Sequence, residues 1–141
     1  MSLSFKDYIS IFIHQTDLHL TSYVKEELAP YNIAPEQNLI MMLLWEKDGQ
    51  SQNEIAKQLD KDKTNIARMA QSLEQKGFIR RSSCPNDRRT QRLFVTEEGE
   101  KLGHSVIPLA EKFNKIVCHG ITDKELAELK RILSKMRQNV Q

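Results

Sequence analysis

Residues 51–77, SQNEIAKQLDKDKTNIARMAQSLEQKG, and the run FIRRSSCPNDRRTQRLFVTEEG that follows over 78–99 carry the pattern on which the fold turns. Ser51 and Glu54 stand at capping-box spacing, in which the two side chains satisfy each other's free helix-end amides. A short helix over 51–59 is expected, with Ile55, Ala56 and Leu59 as its apolar edge. Asp60, Lys61 and Asp62 then supply polar turn and cap residues, and a second helix is predicted over 63–76, before Gly77. In that helix Ile66, Met69, Ala70 and Leu73 repeat at helical spacing and face inward, which turns Lys63, Thr64, Asn65 and Arg68 outward near its N-terminal half. The stretches 78–83 and 91–95 read as the strands of a hairpin around the turn-forming Pro85, Asn86 and Asp87, so the tip is basic.

Working outward, apolar residues Tyr8, Ile9, Phe12, Ile13, Leu20, Tyr23 and Val24 recur mostly at steps of three and four, predicting one long amphipathic helix over 5–28. Pro30 and Pro35 bracket a turn, and a helix over 35–47 follows with Leu39, Ile40, Leu43 and Leu44 as a buried stripe, closed by Asp48 and Gly49. After the hairpin, Thr96 reads as an N-cap with Glu97, Glu98 and Glu100 over the positive end of a helix that continues to about Cys118, bent at Pro108. Thr122 and Glu125 form a second capping box, opening a last helix in which Leu126, Leu129, Leu133 and Met136 have the spacing of a helix packed on a partner helix. The fold class is therefore mainly α with a small β-hairpin wing: a winged helix-turn-helix flanked by N- and C-terminal dimerisation helices. The expected organisation is a single domain over 1–141, with dimerisation helices over 1–32 and 100–141 and the winged unit over 33–99, its helix-turn-helix at about 51–76 and its wing at about 78–95.

With 39% hydrophobic and 28% charged residues over 141 positions, the composition is that of a globular chain. The longest apolar run, 39–45, is far short of the roughly 18 residues that suggest a membrane span, and no signal segment precedes it, so a cytoplasmic protein without a membrane partner is expected. Between residues 51 and 96 ten Lys and Arg face five acids, a local charge of +5, while the other 11 basic and 14 acidic residues leave −3 elsewhere. A basic middle between mildly acidic ends suits a chain of which one face meets a polyanion.

A second helix of such a pair is narrow enough to enter the major groove of double-stranded DNA while the first braces it. Arg68 has paired donors for guanine, Asn65 can donate and accept as adenine requires, and Thr64 can touch a base, a thymine methyl or a phosphate. Lys61 and Lys63, near the helix start, suit phosphates. Arg88 and Arg89 at the projecting tip suit a narrow minor groove, where negative potential is concentrated, and Asp87 beside them is expected to pair with a guanidinium and fix its direction.

These residues carry a resemblance. Asp87-Arg88-Arg89 and the following Thr96-Glu97-Glu98-Gly99 resemble the D-x-R and T-x-x-G elements of the wing of the multiple antibiotic resistance regulator (MarR) family, and Gln52 to Ala56 with Lys63 to Gly77 resemble its helix-turn-helix. The resemblance implies a homodimer of intertwined terminal helices carrying two winged units on a pseudo-palindromic operator, with repression of nearby genes relieved by a small organic effector. It also implies an effector pocket between dimer helices and winged unit, for which His14, Asp17, Leu18, Trp45 and Phe113 are the candidates.

Other functions are weaker on the residues. Cys84 and Cys118 have no metal-ligand or CxxC spacing and are expected to be reduced and unpaired, Cys118 in the core; Cys84, near Arg80, Arg81 and Arg88, leaves a redox-responsive regulator as an alternative. His14, His19, His104 and His119 show no ligand spacing, so neither metal nor cofactor is expected. No phosphate loop, nucleophile elbow or zinc-hydrolase motif points to an enzyme. A winged-helix module that binds other proteins remains the second alternative.

Overall fold

The computed structural model describes residues 1–141. Six helices and one hairpin follow in order: α1 Ile9–Leu28, α2 Pro35–Glu46, α3 Gln52–Gln58, α4 Lys63–Gln75, β1 Ile79–Cys84, β2 Asp87–Val95, α5 Glu97–Val117 and α6 Asp123–Val140. This is a winged helix-turn-helix between terminal helices. Cα packing divides the chain into two compact units, Met1–Leu109 and Ala110–Gln141.

Local chemistry explains most element ends. Asp62 caps α4 by accepting the Asn65 amide at 2.7 Å, and Thr122 and Glu125 close a reciprocal box at the start of α6. Asp60 makes the tight turn between α3 and α4 in the left-handed region, φ 53°, which a short polar side chain tolerates. At α3 the expected box is only half made: Ser51 Oγ accepts the Glu54 amide at 3.1 Å, but the Glu54 carboxylate lies toward Arg92, 3.8 Å away, because the hairpin brings a cation to it. The expected helix over 5–28 is also broken. A single 3-10 turn, Phe5–Asp7, precedes an extended Tyr8 (ψ 108°) without a side-chain cap, and α1 begins at Ile9.

The core is built by Ile40, Met41 and Leu44 of α2, Ile55 of α3, Ile66, Ala70 and Leu73 of α4, Ile79 and Leu93 of the hairpin, and Val106 of α5, all almost fully buried. Leu39, expected in the buried stripe of α2, is 41% exposed, because the inward face of that helix runs through Ile40, Met41 and Leu44 instead. Cys118, expected in a core, is half-buried at the end of α5. No helix is long and apolar enough to cross a membrane.

The hairpin pairs Ile79 with Val95, Arg81 with Leu93 and Ser83 with Gln91, then slips at a bulge so that Cys84 faces Asp87. Strand β2 thus begins at Asp87 rather than 91, and the tip arginines belong to the bulged strand. At its other end the Thr96 hydroxyl donates to the Gly77 carbonyl (2.6 Å) and accepts the Gly99 amide (3.1 Å), joining the end of the wing to the turn after α4. Gly99 is required there, since a Cβ on it would stand 2.2 Å from the Phe78 carbonyl oxygen and 2.7 Å from Val95. Gly99→Ala is expected to destabilise the fold by about 2–3 kcal/mol through overpacking against backbone, read as a lower urea midpoint at fixed protein concentration.

Candidate nucleic-acid interface

Helix α4 buries Ile66, Met69, Ala70 and Leu73 on one side and leaves Lys63, Thr64 and Arg68 exposed on the other. Asn65 is half-buried; its side-chain carbonyl accepts from the Arg68 guanidinium at 3.2 Å, so these two side chains form one polar unit on the helix surface. The first turn of the helix carries the partial positive charge of its amides, one of them taken by the Asp62 carboxylate, and Lys63 stands exposed beside it.

The cations of the basic segment fall into two groups. Lys61 pairs with Glu36 at 3.1 Å, Lys76 donates to Gln37 at 2.8 Å, Arg81 pairs with Glu74, Arg92 donates to the Gly49 carbonyl at 3.1 Å, and Arg80 stacks over the Phe94 ring, 4.6 Å from its centre. These five tie elements of the fold to one another. Lys57, Lys63, Arg88 and Arg89 are exposed and enter no hydrogen bond or ion pair, and Arg68 touches only Asn65. Lys57, exposed on α3, is a further candidate whose only sequence signal is its part in the local positive charge.

At the wing, Asp87 does not pair with a guanidinium. One carboxylate oxygen accepts the Arg89 backbone amide at 3.0 Å and the other accepts the Thr90 hydroxyl at 2.9 Å, so Asp87 fixes the main chain under Arg89 and leaves the guanidiniums unpaired. The base of the wing is clamped to α4 by Glu74, which accepts the Arg81 amide at 2.9 Å and the Arg81 Nε at 3.1 Å. The backbone hydrogen bond from Arg81 is the main cause that holds the Glu74 carboxyl below its ordinary range; partial burial opposes it, and the Arg81 side-chain bond and charge add to it. Cys84 is half-buried beside the bulge.

Of the five effector candidates, four lie in the first compact unit and Phe113 lies in the second. Trp45 packs against the core, its indole N–H donating to the Gly99 carbonyl at 3.1 Å and its ring so close to Gly103 that a Cβ there would meet it at 3.0 Å; it is a structural residue of the α2–α5 contact. His14, Asp17 and Leu18 are exposed on α1, and Phe113 belongs to the second compact unit. Leu18 borders an open surface depression on α1, with Gln15, His19 and Ser22.

The MarR family model matches residues 33–90, from the end of the turn before α2 into the wing. A MarR transcriptional regulator from Methanosarcina mazei Go1 is 30% identical over 91% of this chain and 95% of that one, with a TM-score of 0.73. The transcriptional regulator SlyA is 26% identical over 94% of this chain and 93% of that one, with a TM-score of 0.83. MepR of S. aureus, solved as a DNA complex, shares the fold at a TM-score of 0.85, covering 98% of this chain and 99% of that one at 21% identity.

Glu74→Gln replaces the ionised acceptor of the clamp. Because the folded-state pKa is depressed, the contribution of Glu74 is present above the ordinary glutamate range and is lost as pH falls through the lowered value. Urea midpoints are expected to differ between wild type and Glu74→Gln at pH 7, by less than about 1 kcal/mol given an acid side chain 38% exposed, and to converge at acid pH.

Proposed function

The chain belongs to the MarR family of transcriptional regulators, and on that premise we propose that it acts as a homodimeric repressor that binds a pseudo-palindromic double-stranded operator and is released by a small organic effector. In this reading α4 enters the major groove, where Arg68 and Asn65 address base edges as a pair, Thr64 touches a base or phosphate, and Lys63 and Lys57 hold phosphates. Arg88 and Arg89 reach a flanking minor groove on the wing, with Asp87 holding the main chain beneath them. Lys61, engaged with Glu36, contributes to phosphate binding only if it leaves that pair.

The observation that carries the reading is the division of the cations. Evolution of a stable surface needs no unpaired arginines on a projecting bulge, whereas a polyanion partner does, and the unpaired set lies on α3, the N-terminal half of α4 and the wing. The dimer is supported by the apolar surface of the terminal helices: Ile9, Phe12, Leu18, Ile116 and Leu129 are each about half exposed, and α6 buries none of its side chains in the single chain. Such exposure of large apolar residues marks an interface, and a two-fold partner would set two recognition helices roughly 34 Å apart, one DNA turn. Release by an effector rests on the family; an open depression on α1 is a surface feature that fits it.

Binding to duplexes selected from a random pool tests the reading. Arg68→Ala is expected to weaken the selected duplex about tenfold or more and to relax selectivity at its base. Replacing Arg88 and Arg89 by alanine is expected to reduce the slope of log affinity against log salt by about one per lost phosphate contact. Unchanged affinity and slope in both variants would sink the assignment, and a solution mass of one chain would sink the dimer.

A further inference from the structure

We infer that Gln37 is a positioning residue for DNA reading: from α2 it sets the attitude of α4, a role that rests on the DNA-binding function proposed above. Gln37 lies in the first turn of α2 and is half-buried. Its side-chain nitrogen donates to Ser72 Oγ at 2.9 Å, while its oxygen accepts the Lys76 ammonium at 2.8 Å and the Ala34 amide at 3.3 Å. Ser72 and Lys76 are one turn apart at the C-terminal end of α4, so one side chain holds two successive turns of that helix and caps its own.

The reading residues lie at the other end of the same rod. Thr64 is eight residues from Ser72, about 12 Å along the axis at 1.5 Å per residue. A tilt of about 10° at the Ser72 end therefore moves Thr64 by about 2 Å, several times what a base-edge hydrogen bond tolerates. The apolar contacts of Ile66, Met69 and Leu73 hold α4 against the core without prescribing direction, since burial is non-directional. The Gln37 bonds are directional. Glu74 also grips Arg81 of the wing, so the last two turns of α4 are held by two directional clamps, while the outer face of its first turns, at Lys63, Thr64 and Arg68, is exposed. Lys76 is thereby spent on architecture and is absent from the phosphate-binding set.

Gln37→Leu would also uncap α2, so the decisive variant is Ser72→Ala with Lys76→Met, which removes the inter-helix bonds and keeps the cap. Gln37→Glu is the conservative control, because a carboxylate accepts from the Ser72 hydroxyl, the Lys76 ammonium and the Ala34 amide alike. Each is measured by fluorescence anisotropy on the duplex selected by wild type and on a scrambled duplex of equal length and composition, at several salt concentrations, with thermal unfolding recorded alongside. The double variant is expected to lose about tenfold on the selected duplex and less than about twofold on the scrambled one, with an unchanged salt slope, while Gln37→Glu keeps the wild-type ratio. An unchanged ratio in the folded double variant overturns the positioning role. So does a proportional loss on both duplexes with a shallower slope, which would make Lys76 a phosphate contact. A wild type that does not distinguish the two duplexes removes the DNA-reading assignment itself, and the role with it.

Discussion

The junction at Gly49, Gln50 and Ser51 holds the winged unit together. The Gly49 amide donates to the Leu93 carbonyl at 3.0 Å and the Leu93 amide donates to the Gln50 carbonyl at 2.9 Å, so the link between α2 and α3 is tied to β2 by an isolated antiparallel bridge. Gln50, 5% exposed, uses its side-chain nitrogen to satisfy the Leu43 and Lys47 carbonyls at the end of α2 and its oxygen to accept from Gln58 of α3. Buried polar groups of this kind cost free energy unless every partner is supplied, and here one amide serves the end of one helix, the face of another and, through its backbone, the wing. The second side of the hairpin is secured by Asp48, which accepts the Val95 amide, and by Glu74.

Given that frame, the basic character of residues 51–96 has two meanings. A cation near a carboxylate, an amide oxygen or an aromatic face on a neighbouring element is part of the scaffold, as with Arg81, Arg92, Lys61, Lys76 and Arg80. A cation with no partner keeps its whole field for solvent or for phosphate. Net charge counts both groups equally and so does not tell which cations are free to approach a polyanion. Asp87 at the wing tip likewise makes no ion pair with the arginines; its carboxylate is engaged in an Asx-type turn under Arg89.

The flanking helices follow a different rule. Two of them are well capped, with a complete box at Thr122 on α6 and a Thr96 cap on α5, yet α1 and α6 leave most of their apolar side chains exposed or half-exposed in one chain. Long helices with half-apolar surfaces are elements with area still to bury, and the dimer proposed above would bury it.

Element type, order and most boundaries were legible in the sequence, because caps, turns and helical stripes act over three or four residues: Asp62 on Asn65, Thr122 on Glu125, and Ile66 with Met69, Ala70 and Leu73. The outward set on α4 and the arginines of the tip were legible for the same reason. What the tertiary structure decided lies between residues far apart in the chain. The bond from the Trp45 indole to Gly99, 54 residues away, and the pairing of Lys61 with Glu36, 25 residues back, have no counterpart in any local pattern. Glu54 matches a capping box until Arg92 arrives, and Gln37 and Gln50 carry no signal at all, since an amide states what it can bond and never what will stand opposite it. Local geometry is written in adjacent residues; the choice among competing polar partners is made only when packing brings them within 3 Å or so of one another.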